Sequence, residues 1–325
     1  MSSLPPIYFG PKTAQPSWTW VGADIAEFLR ASMEIRYFER LDQIADGALV
    51  FWIKCPPNAL TTEEVVKKAL RIVFFPVDAF LNRSAILANS QFIKHASLIC
   101  LHARSLAPFF PSARVEFVDH YNKYGVQPSD RQPDNTTLLW IGGFQYVPYV
   151  LGALDKINWP HERIRLLTNQ NHGPARTAAE RNALAMGLGN YWRTLASRNI
   201  QISHWSERAQ REALTTCAAA FDIKHLNCFN QLHKPPTKLQ KYLVSGIPCA
   251  VNKDFPAARQ VENVVEIEQL EFHSLQLHFG SRLSSYREYL SKSLSIETVA
   301  KQYVMFAIKA LDLRSSQQDA FLEKF

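Results

Sequence analysis

The sequence predicts an α/β protein made of two doubly wound halves, and three observations lead there. The chain has 325 residues, more than a single core usually holds. Short apolar runs alternate with amphipathic stretches, as a parallel sheet covered by helices requires. That alternation stops in a polar, proline-containing stretch and then starts again. We therefore expect two successive Rossmann-like domains.

The first domain is predicted at residues 1–124. Apolar runs predict strands at residues 6–9, 34–38, 48–53, 71–77, 98–102 and 114–118. Helical spacing of apolar residues predicts helices at residues 22–30, 62–70 and 84–94.

A linker is predicted at residues 125–137, where two prolines and a glycine stand among few apolar residues. The second domain, residues 138–295, is expected to have strands at 138–141, 163–168, 200–204, 219–223, 248–251 and 264–268. Its helices are expected at 146–157, 177–198, 206–217, 237–244 and 257–262. An apolar stripe predicts a long helix at 296–313. This helix belongs to a closing segment, residues 296–325, that is expected to pack across both domains.

Charge and cysteine content narrow the class of partner. The 36 Lys and Arg residues exceed the 29 Asp and Glu residues, which favours anionic partners such as phosphates or an anionic membrane surface. No basic run or basic helix marks a nucleic-acid site, so nucleic acid is not expected. Five scattered cysteines indicate a reducing cytoplasm, and the chain shows no signal peptide or membrane-spanning run, so any membrane contact is expected to be peripheral.

The segment from Asn230 to Val251 is the strongest candidate for chemistry. Pro235 and Pro236 suit the first turn of a helix, so a helix should begin beside Thr237. Its free N–H groups and positive end would bind an anion, and Lys238 adds a full charge to them. A lysine at that end of a helix is unfavourable unless an anion compensates. The alternative is an ordinary solvated basic face.

This segment resembles a known donor site. Lys234-Pro-Pro-Thr-Lys238-Leu, followed by Tyr242-Leu-Val-Ser-Gly246-Ile-Pro248, is similar to the donor-site signature of GT-B glycosyltransferases, especially glycosyltransferase family 4. The resemblance implies two Rossmann-like domains facing a cleft, a nucleotide-sugar donor, and contact between Lys238 and the donor phosphates. It implies a hexosyltransferase-like enzyme of the retaining kind, and it covers the first half of the chain by architecture alone.

Two positions depart from the family. Where retaining members often carry two glutamates eight positions apart, the second holding the donor ribose, this chain has His233 and Lys241. An unusual donor, a missing ribose clamp and a degenerate domain all remain open.

Other donor contacts are expected at the carboxyl ends of second-domain strands, where open α/β sheets bind ligands. Gly142 and Gly143 follow a strand and would admit a phosphate closely, or form a structural turn. Asn169 opens a polar loop that could contact a nucleotide or be a solvated turn. His204 lies where the family has the loop near the nucleobase.

In the first domain, Gly10, Trp18 and Gly22 could shape an acceptor pocket, with core packing as the alternative. Asp78 and His120 end strands and could act as a general base or as acceptor ligands. Their alternatives are a helix cap and an ordinary polar loop residue.

The sequence thus predicts a transferase that moves a sugar from a nucleotide-activated donor to a glycan, lipid-linked or small-molecule acceptor in the interdomain cleft. No cofactor is expected, and metal-ligand spacing is absent. A catalytically degenerate binding or scaffold protein and a sugar-nucleotide epimerase are the alternatives.

Overall fold

The computed structural model describes residues 5–111, 113–134, 137–154, 163–169, 199–252, 254–261, 264–266, 281–313 and 318. Its contacts divide the chain into two compact units. The first comprises Met1–Tyr121, His233–Pro235 and Lys292–Phe325, and the second comprises Asn122–Leu232 and Pro236–Ser291. The predicted helix at 177–198 lies outside the described residues, as do 155–157 and 267–268 of two other predicted elements.

The first unit contains a six-stranded sheet in the order β2-β1-β3-β4-β5-β6, with each pair of neighbouring strands parallel. Its strands are β1 (Ile7–Gly10), β2 (Ile35–Tyr37), β3 (Leu49–Ile53), β4 (Arg71–Phe75), β5 (Leu98–Leu101) and β6 (Val115–Phe117). The apolar runs continue without alternation because both faces of such a sheet are covered.

The second unit contains a parallel sheet in the order β12-β11-β10-β7-β8-β9. Its strands are β7 (Thr137–Gly143), β8 (Arg163–Asn169), β9 (Ile200–His204), β10 (Ala219–Asp222), β11 (Cys249–Val251) and β12 (Val264–Glu266). Each predicted strand has its counterpart in the two sheets, so the prediction of two doubly wound halves is confirmed.

The described α-helices follow the strands along the chain. They are α1 (Asp24–Leu29), α2 (Ala59–Lys67), α3 (Arg83–Ala88), α4 (Ser90–His95), α5 (Val147–Leu154), α6 (Glu207–Thr216), α7 (Phe229–Leu232), α8 (Thr237–Val244), α9 (Ser281–Ser293) and α10 (Ile296–Leu311). In the described parts of the chain, none of the helices is both long and apolar enough to cross a membrane.

Several helical segments differ from the sequence prediction. No predicted helix covers the short α7, and the helix predicted at 257–262 is a 3₁₀ helix at Pro256–Gln260. The helix expected at 84–94 is broken into α3 and α4 at Asn89, whose side-chain amide donates to the Ala85 carbonyl, 2.8 Å away. Helix α9 was not predicted, since Ser281–Ser293 is rich in serine and charged residues and has a weak apolar stripe.

Helix α10 closes one face of the first sheet. The Tyr303 ring stacks on Phe75 with centroids 4.6 Å apart, and Phe51 and Phe9 continue the stack across the sheet. The Tyr303 hydroxyl donates to the Val21 carbonyl at 2.9 Å. Burying this aromatic layer fixes the strands whose carboxyl ends carry the polar residues described below.

Candidate functional site

In each sheet, two neighbouring strands are continued by the chain toward opposite edges of the sheet, and the place between them is a topological switch point. In the second sheet, β7 leads to β8 and β9 on one side, while β10 leads to β11 and β12 on the other. In the first sheet, β1 leads to β2 on one side and β3 to β4 on the other. Such switch points form a crevice outside the carboxyl ends of the strands, where open α/β sheets bind ligands.

Three charged residues meet at the switch point of the second unit, and we call them the Asp222 triad: Asp222, Lys224 and Lys238. Asp222 ends β10 and is 1% exposed. Its carboxylate lies 2.7 Å from the Lys224 ammonium and 3.2 Å from that of Lys238. Burial alone would raise the pKa of Asp222, but the two ammonium groups outweigh it and hold that pKa below its ordinary value.

Lys238 lies in the first turn of α8, as predicted. Pro236 is the N-cap, without a side-chain cap bond, so Thr237 starts the helix and does not cap it. The lysine side chain is 29% exposed, and its ammonium stands 5.2 Å from the centre of the Trp140 ring. The anion that a lysine at this helix end requires is thus supplied by the chain itself, by Asp222.

Gly142 is required by the packing beneath this site. A Cβ at Gly142 would lie 2.2 Å from the buried ring of Trp140, which is 1% exposed. A Cβ at Gly143 would meet only the mobile end of the Gln145 side chain, at 2.5 Å. Gly142 therefore leaves room for the Trp140 ring that stands beside the Lys238 ammonium.

Lys241 lies nearly one turn after Lys238 on α8 and is only 7% exposed. Burial lowers its pKa to about 7. Its ammonium stands 5.2 Å from the centre of the Tyr124 ring. Tyr124 in turn packs edge-on against Trp205 and donates to the Glu207 carboxylate at 3.1 Å. Lys241 thus occupies an aromatic, largely dehydrated environment.

The remaining predicted donor residues separate into two groups. Asn169 and His204 are exposed at the carboxyl ends of the paired strands β8 and β9. His233 belongs to the first unit, where its Nδ1 lies 2.9 Å from the Ser105 hydroxyl and its ring packs edge-on against Phe109. Burial lowers the pKa of His233.

An ion pair marks the switch point of the first unit. Lys54 follows β3 and lies 2.6 Å from the Asp78 carboxylate, which follows β4. Burial alone would raise the pKa of Asp78, but Lys54, with smaller effects of Lys234 and His120, holds it below its ordinary value. Lys54 and Val77 both have positive φ, 63° and 52°, a strained conformation that is most unusual for valine and is found mainly at functional sites.

Two buried imidazoles lie beside this ion pair at the ends of β5 and β6. The rings of His102 and His120 are 4.1 Å apart between centroids, and Trp20 packs on His120 at 5.3 Å. Burial lowers the pKa of His102 well below its ordinary value, and the nearby His120 lowers it further. His102 is therefore neutral at neutral pH.

The predicted acceptor residues lie at the packed start of the first unit. Trp18 is 9% exposed, belongs to the hydrophobic core and meets Tyr37 edge-on at 5.7 Å. A Cβ at Gly22 would lie 2.6 Å from the Trp18 ring, and one at Gly10 would lie 2.5 Å from the Phe38 carbonyl oxygen. Trp18 and Gly22 thus pack on each other, while Gly10 ends β1 at the switch point.

Sequence reasoning missed Asp222, Lys54 and His102. Each ends or directly follows a strand that is buried along its length. Asp78 and His120 lie slightly farther on, each a few residues beyond the end of a strand. The rule that selected Asp78 and His120 would have found all three if it had been applied to every strand. Across the described residues, no group of three or more His, Cys, Asp or Glu side chains is arranged to hold a metal ion.

Comparison with solved structures identifies the fold. The chain resembles an α-glucosyltransferase in complex with UDP, with a TM-score of 0.54, 11% identity and coverage of 93% of this chain and 98% of that one. It resembles AviGT4, a glycosyltransferase involved in avilamycin A biosynthesis, with a TM-score of 0.51, 11% identity and coverage of 94% and 98%. At these identities the likeness establishes the fold alone, which is the GT-B type with two Rossmann-like domains.

A third similarity concerns only part of a longer protein. The Gap123 glycosylation-associated complex from Streptococcus agalactiae aligns over 83% of this chain with a TM-score of 0.45 and 14% identity. The present chain spans 54% of the length of that protein. No family model matches the sequence, and no curated protein matches it.

Proposed function

Since the chain has the two Rossmann-like domains of a GT-B glycosyltransferase, we propose that it transfers a sugar from a nucleotide-activated donor to an acceptor. The observation that carries this proposal is the Asp222 triad, which places two ammonium groups and one carboxylate at the switch point of the second unit. With both lysines charged the triad has a net charge of +1. A nucleoside diphosphate is the anionic ligand that such a crevice suits.

In this proposal Lys238 contacts the diphosphate of the donor. Transfer breaks the bond between the sugar C1 and the diphosphate oxygen, and negative charge builds up on that oxygen. An ammonium group already fixed at the helix start stabilises this charge without reorganising. Lysine thus takes the charge-stabilising role, and we propose that activity needs no metal ion.

The acceptor is assigned to the first unit. Asp78 lies beyond the carboxyl end of β4 and His120 beyond that of β6, with β5 between the two strands, and Asp78 is held ionised. We assign binding of the acceptor hydroxyl to Asp78 and acceptance of its proton to His120. The acceptor class remains a glycan, a lipid-linked sugar or a small molecule. A hexosyl donor and retention of configuration rest on the resemblance of the Lys238 segment to family 4.

One observation favours a second candidate, a nucleotide-binding protein without turnover. Lys241 stands where retaining relatives have a ribose-binding carboxylate, and it is buried against Tyr124. A buried ammonium cannot accept hydrogen bonds from ribose hydroxyls as a carboxylate does. Loss of this contact would weaken the hold on an ordinary donor.

Binding and product analysis separate the two candidates. A nucleoside diphosphate present at 100 times its dissociation constant should stabilise the fold by about 2.7 kcal/mol in a thermal-shift panel. Labelled nucleotide-sugars with a mixed acceptor panel should then give a transferred sugar. Stabilisation without transfer or donor hydrolysis supports the binding protein, and an isomerised donor supports an epimerase. No stabilisation by uridine, guanosine or adenosine diphosphate would refute the donor site.

A further inference from the structure

Two exposed leucines stand on the first unit, shortly after Asp78 in the chain. Of the large apolar side chains in the described parts of the chain, Leu81, Tyr289 and Leu87 are the most exposed, at 69%, 65% and 61%. Leu81 comes just before the N-cap of α3, and Leu87 lies within that helix. Because α3 has six residues and is about 9 Å long, the two leucines lie within about one length of this short helix. We call Leu81 and Leu87 the leucine pair.

The hydrophobic core does not explain the leucine pair, because neighbouring residues already fill that role. Phe80 is buried, and its ring lies against those of Phe74 and Phe110, with centroids 6.3 Å and 6.1 Å away. Ile86 is the buried residue of α3. An apolar residue before an N-cap often packs on the fourth residue of the helix, which here is Ile86, but the exposure of Leu81 shows that it does not bury itself there.

The fold itself holds Leu81 outward. Asn82 is the N-cap of α3, and its side-chain oxygen accepts a hydrogen bond from the Ala85 N–H at 2.8 Å. Leu81 thus stands between the buried ring of Phe80 and a fixed helix start. An apolar side chain kept in water in this way costs free energy that a partner would recover.

The charge around the leucine pair is positive. No Asp or Glu occurs between Asp78 and Glu116, whereas four basic residues fall in that stretch: Arg83, Lys94, Arg104 and Arg114. Arg83 lies four residues before Leu87 on α3, and therefore on the same face of the helix. Arg83 and Lys94 are both exposed.

The neighbouring helix does not cancel this charge. Helix α2 packs against α4, the helix that carries Lys94. Its acidic residues Glu63 and Glu64 are balanced by Lys67 and by Lys68 at its C-cap. The surface that contains the leucine pair therefore keeps its positive charge.

An apolar pair flanked by cations suits an anionic bilayer, in which leucines enter the boundary between headgroups and acyl chains while cations meet lipid phosphates. Asp78, to which we assign the acceptor hydroxyl, lies three residues before Leu81. A bilayer docked here would present a lipid-linked acceptor to that site. This argument from placement rests on the proposed function, whereas the exposure of the leucines and the charge around them do not.

We propose that the leucine pair and Arg83 form a docking surface for an anionic lipid bilayer. Leu81 and Leu87 enter the boundary between headgroups and acyl chains, and Arg83 and Lys94 contact the lipid phosphates. The contact is reversible, because two leucines bury less apolar area than a single acyl chain does.

Sedimentation of the full chain with lipid vesicles tests this proposal. Vesicles of phosphatidylcholine with about 30 mol% phosphatidylglycerol should bind the wild type at least about tenfold more strongly than phosphatidylcholine alone, because each cation near an anionic surface contributes to binding. High salt should remove this preference. Leu81→Gln/Leu87→Gln should weaken binding on the order of a hundredfold, about tenfold for each leucine withdrawn from lipid. Arg83→Gln should weaken binding to the anionic vesicles alone, by about fivefold.

Tyr289→Gln is the matched control. Tyr289 is as exposed as the leucine pair but lies on α9 in the second unit, so its variant should bind vesicles as the wild type does. All the substituted side chains are exposed, and each variant should therefore keep its fold, which circular dichroism and thermal unfolding check.

The outcomes separate the docking surface from its rivals and from the proposed function. A wild type that does not bind anionic vesicles, or a double variant that binds as the wild type does, would overturn the proposal. A lipid-free dimer in sedimentation velocity that the double variant abolishes would assign the surface to a second copy of the chain and overturn it as well. A wild type that binds vesicles but no nucleoside diphosphate would refute the proposed function and leave the docking surface standing.

Discussion

The burial of Lys241 predicts an unusual dependence of stability on pH. Burial lowers the pKa of this lysine from its ordinary value of 10.5 to about 7. Below that lower value the lysine is charged in the native state and the cost of burying the charge is fully present. Between the two values the native state has released a proton that the unfolded chain retains, so the stability of the protein should rise with pH. Replacing Lys241 by methionine removes this contribution.

The magnitude follows from the size of the shift. Each pH unit between the two pKa values changes the free energy of unfolding by about 1.4 kcal/mol. Between pH 7 and pH 9 this amounts to about 2 kcal/mol, because the native lysine is still half protonated at the lower pH. The Tyr124 ring beside the ammonium favours the charged form by about 1 kcal/mol and reduces the difference to between about 1 and 2 kcal/mol.

Urea unfolding of the wild type and of Lys241→Met at several pH values measures this difference. We expect the wild type to gain stability relative to the variant as the pH rises from 7 to 9. Lys301→Met is the matched control, since the Lys301 side chain is 63% exposed. Its difference from the wild type should not change over this range. A Lys241 difference that is equally flat would refute the account of its burial.

Three further predictions concern the two units. Gly142→Ala should destabilise the protein by about 1–3 kcal/mol in urea unfolding, because its Cβ would overlap Trp140. Gly143→Ala should change stability by no more than about 0.5 kcal/mol, and equal losses would contradict the packing argument. His120→Gln should lower kcat/KM for sugar transfer by at least about a hundredfold and leave uridine diphosphate affinity unchanged; normal turnover would remove His120 from the mechanism. Transfer should persist in EDTA, and loss that magnesium or manganese restores would show that lysine does not replace a metal.

The sheets could be predicted from the sequence because parallel strands buried on both faces leave a strong local signal. Leu49–Ile53, for example, is an uninterrupted apolar run and is buried at every position. The break between α3 and α4 at Asn89 was not predicted, because the apolar spacing of residues 84–94 continues across it.

The candidate site was predicted only in part, because its decisive contacts join distant residues. The position of Lys238 follows from Pro235 and Pro236, but its partner Asp222 lies 16 residues earlier. Nothing in the run Ala219–Asp222 indicates that its last residue receives two ammonium groups. The departure at Lys241 was visible in the sequence. Its packing against Tyr124, the last residue of the predicted first domain, was not.

The central claim is that the switch point of the second unit binds a donor diphosphate through Lys238. Lys238→Met tests it most directly, with the dissociation constants of uridine and guanosine diphosphate measured by calorimetry and Lys301→Met as the control. We predict a loss of about 1.5–3 kcal/mol in binding free energy, typical of a hydrogen bond to a charged group, with the fold retained. Wild-type affinity in Lys238→Met would contradict the phosphate assignment and remove the main support for a glycosyltransferase.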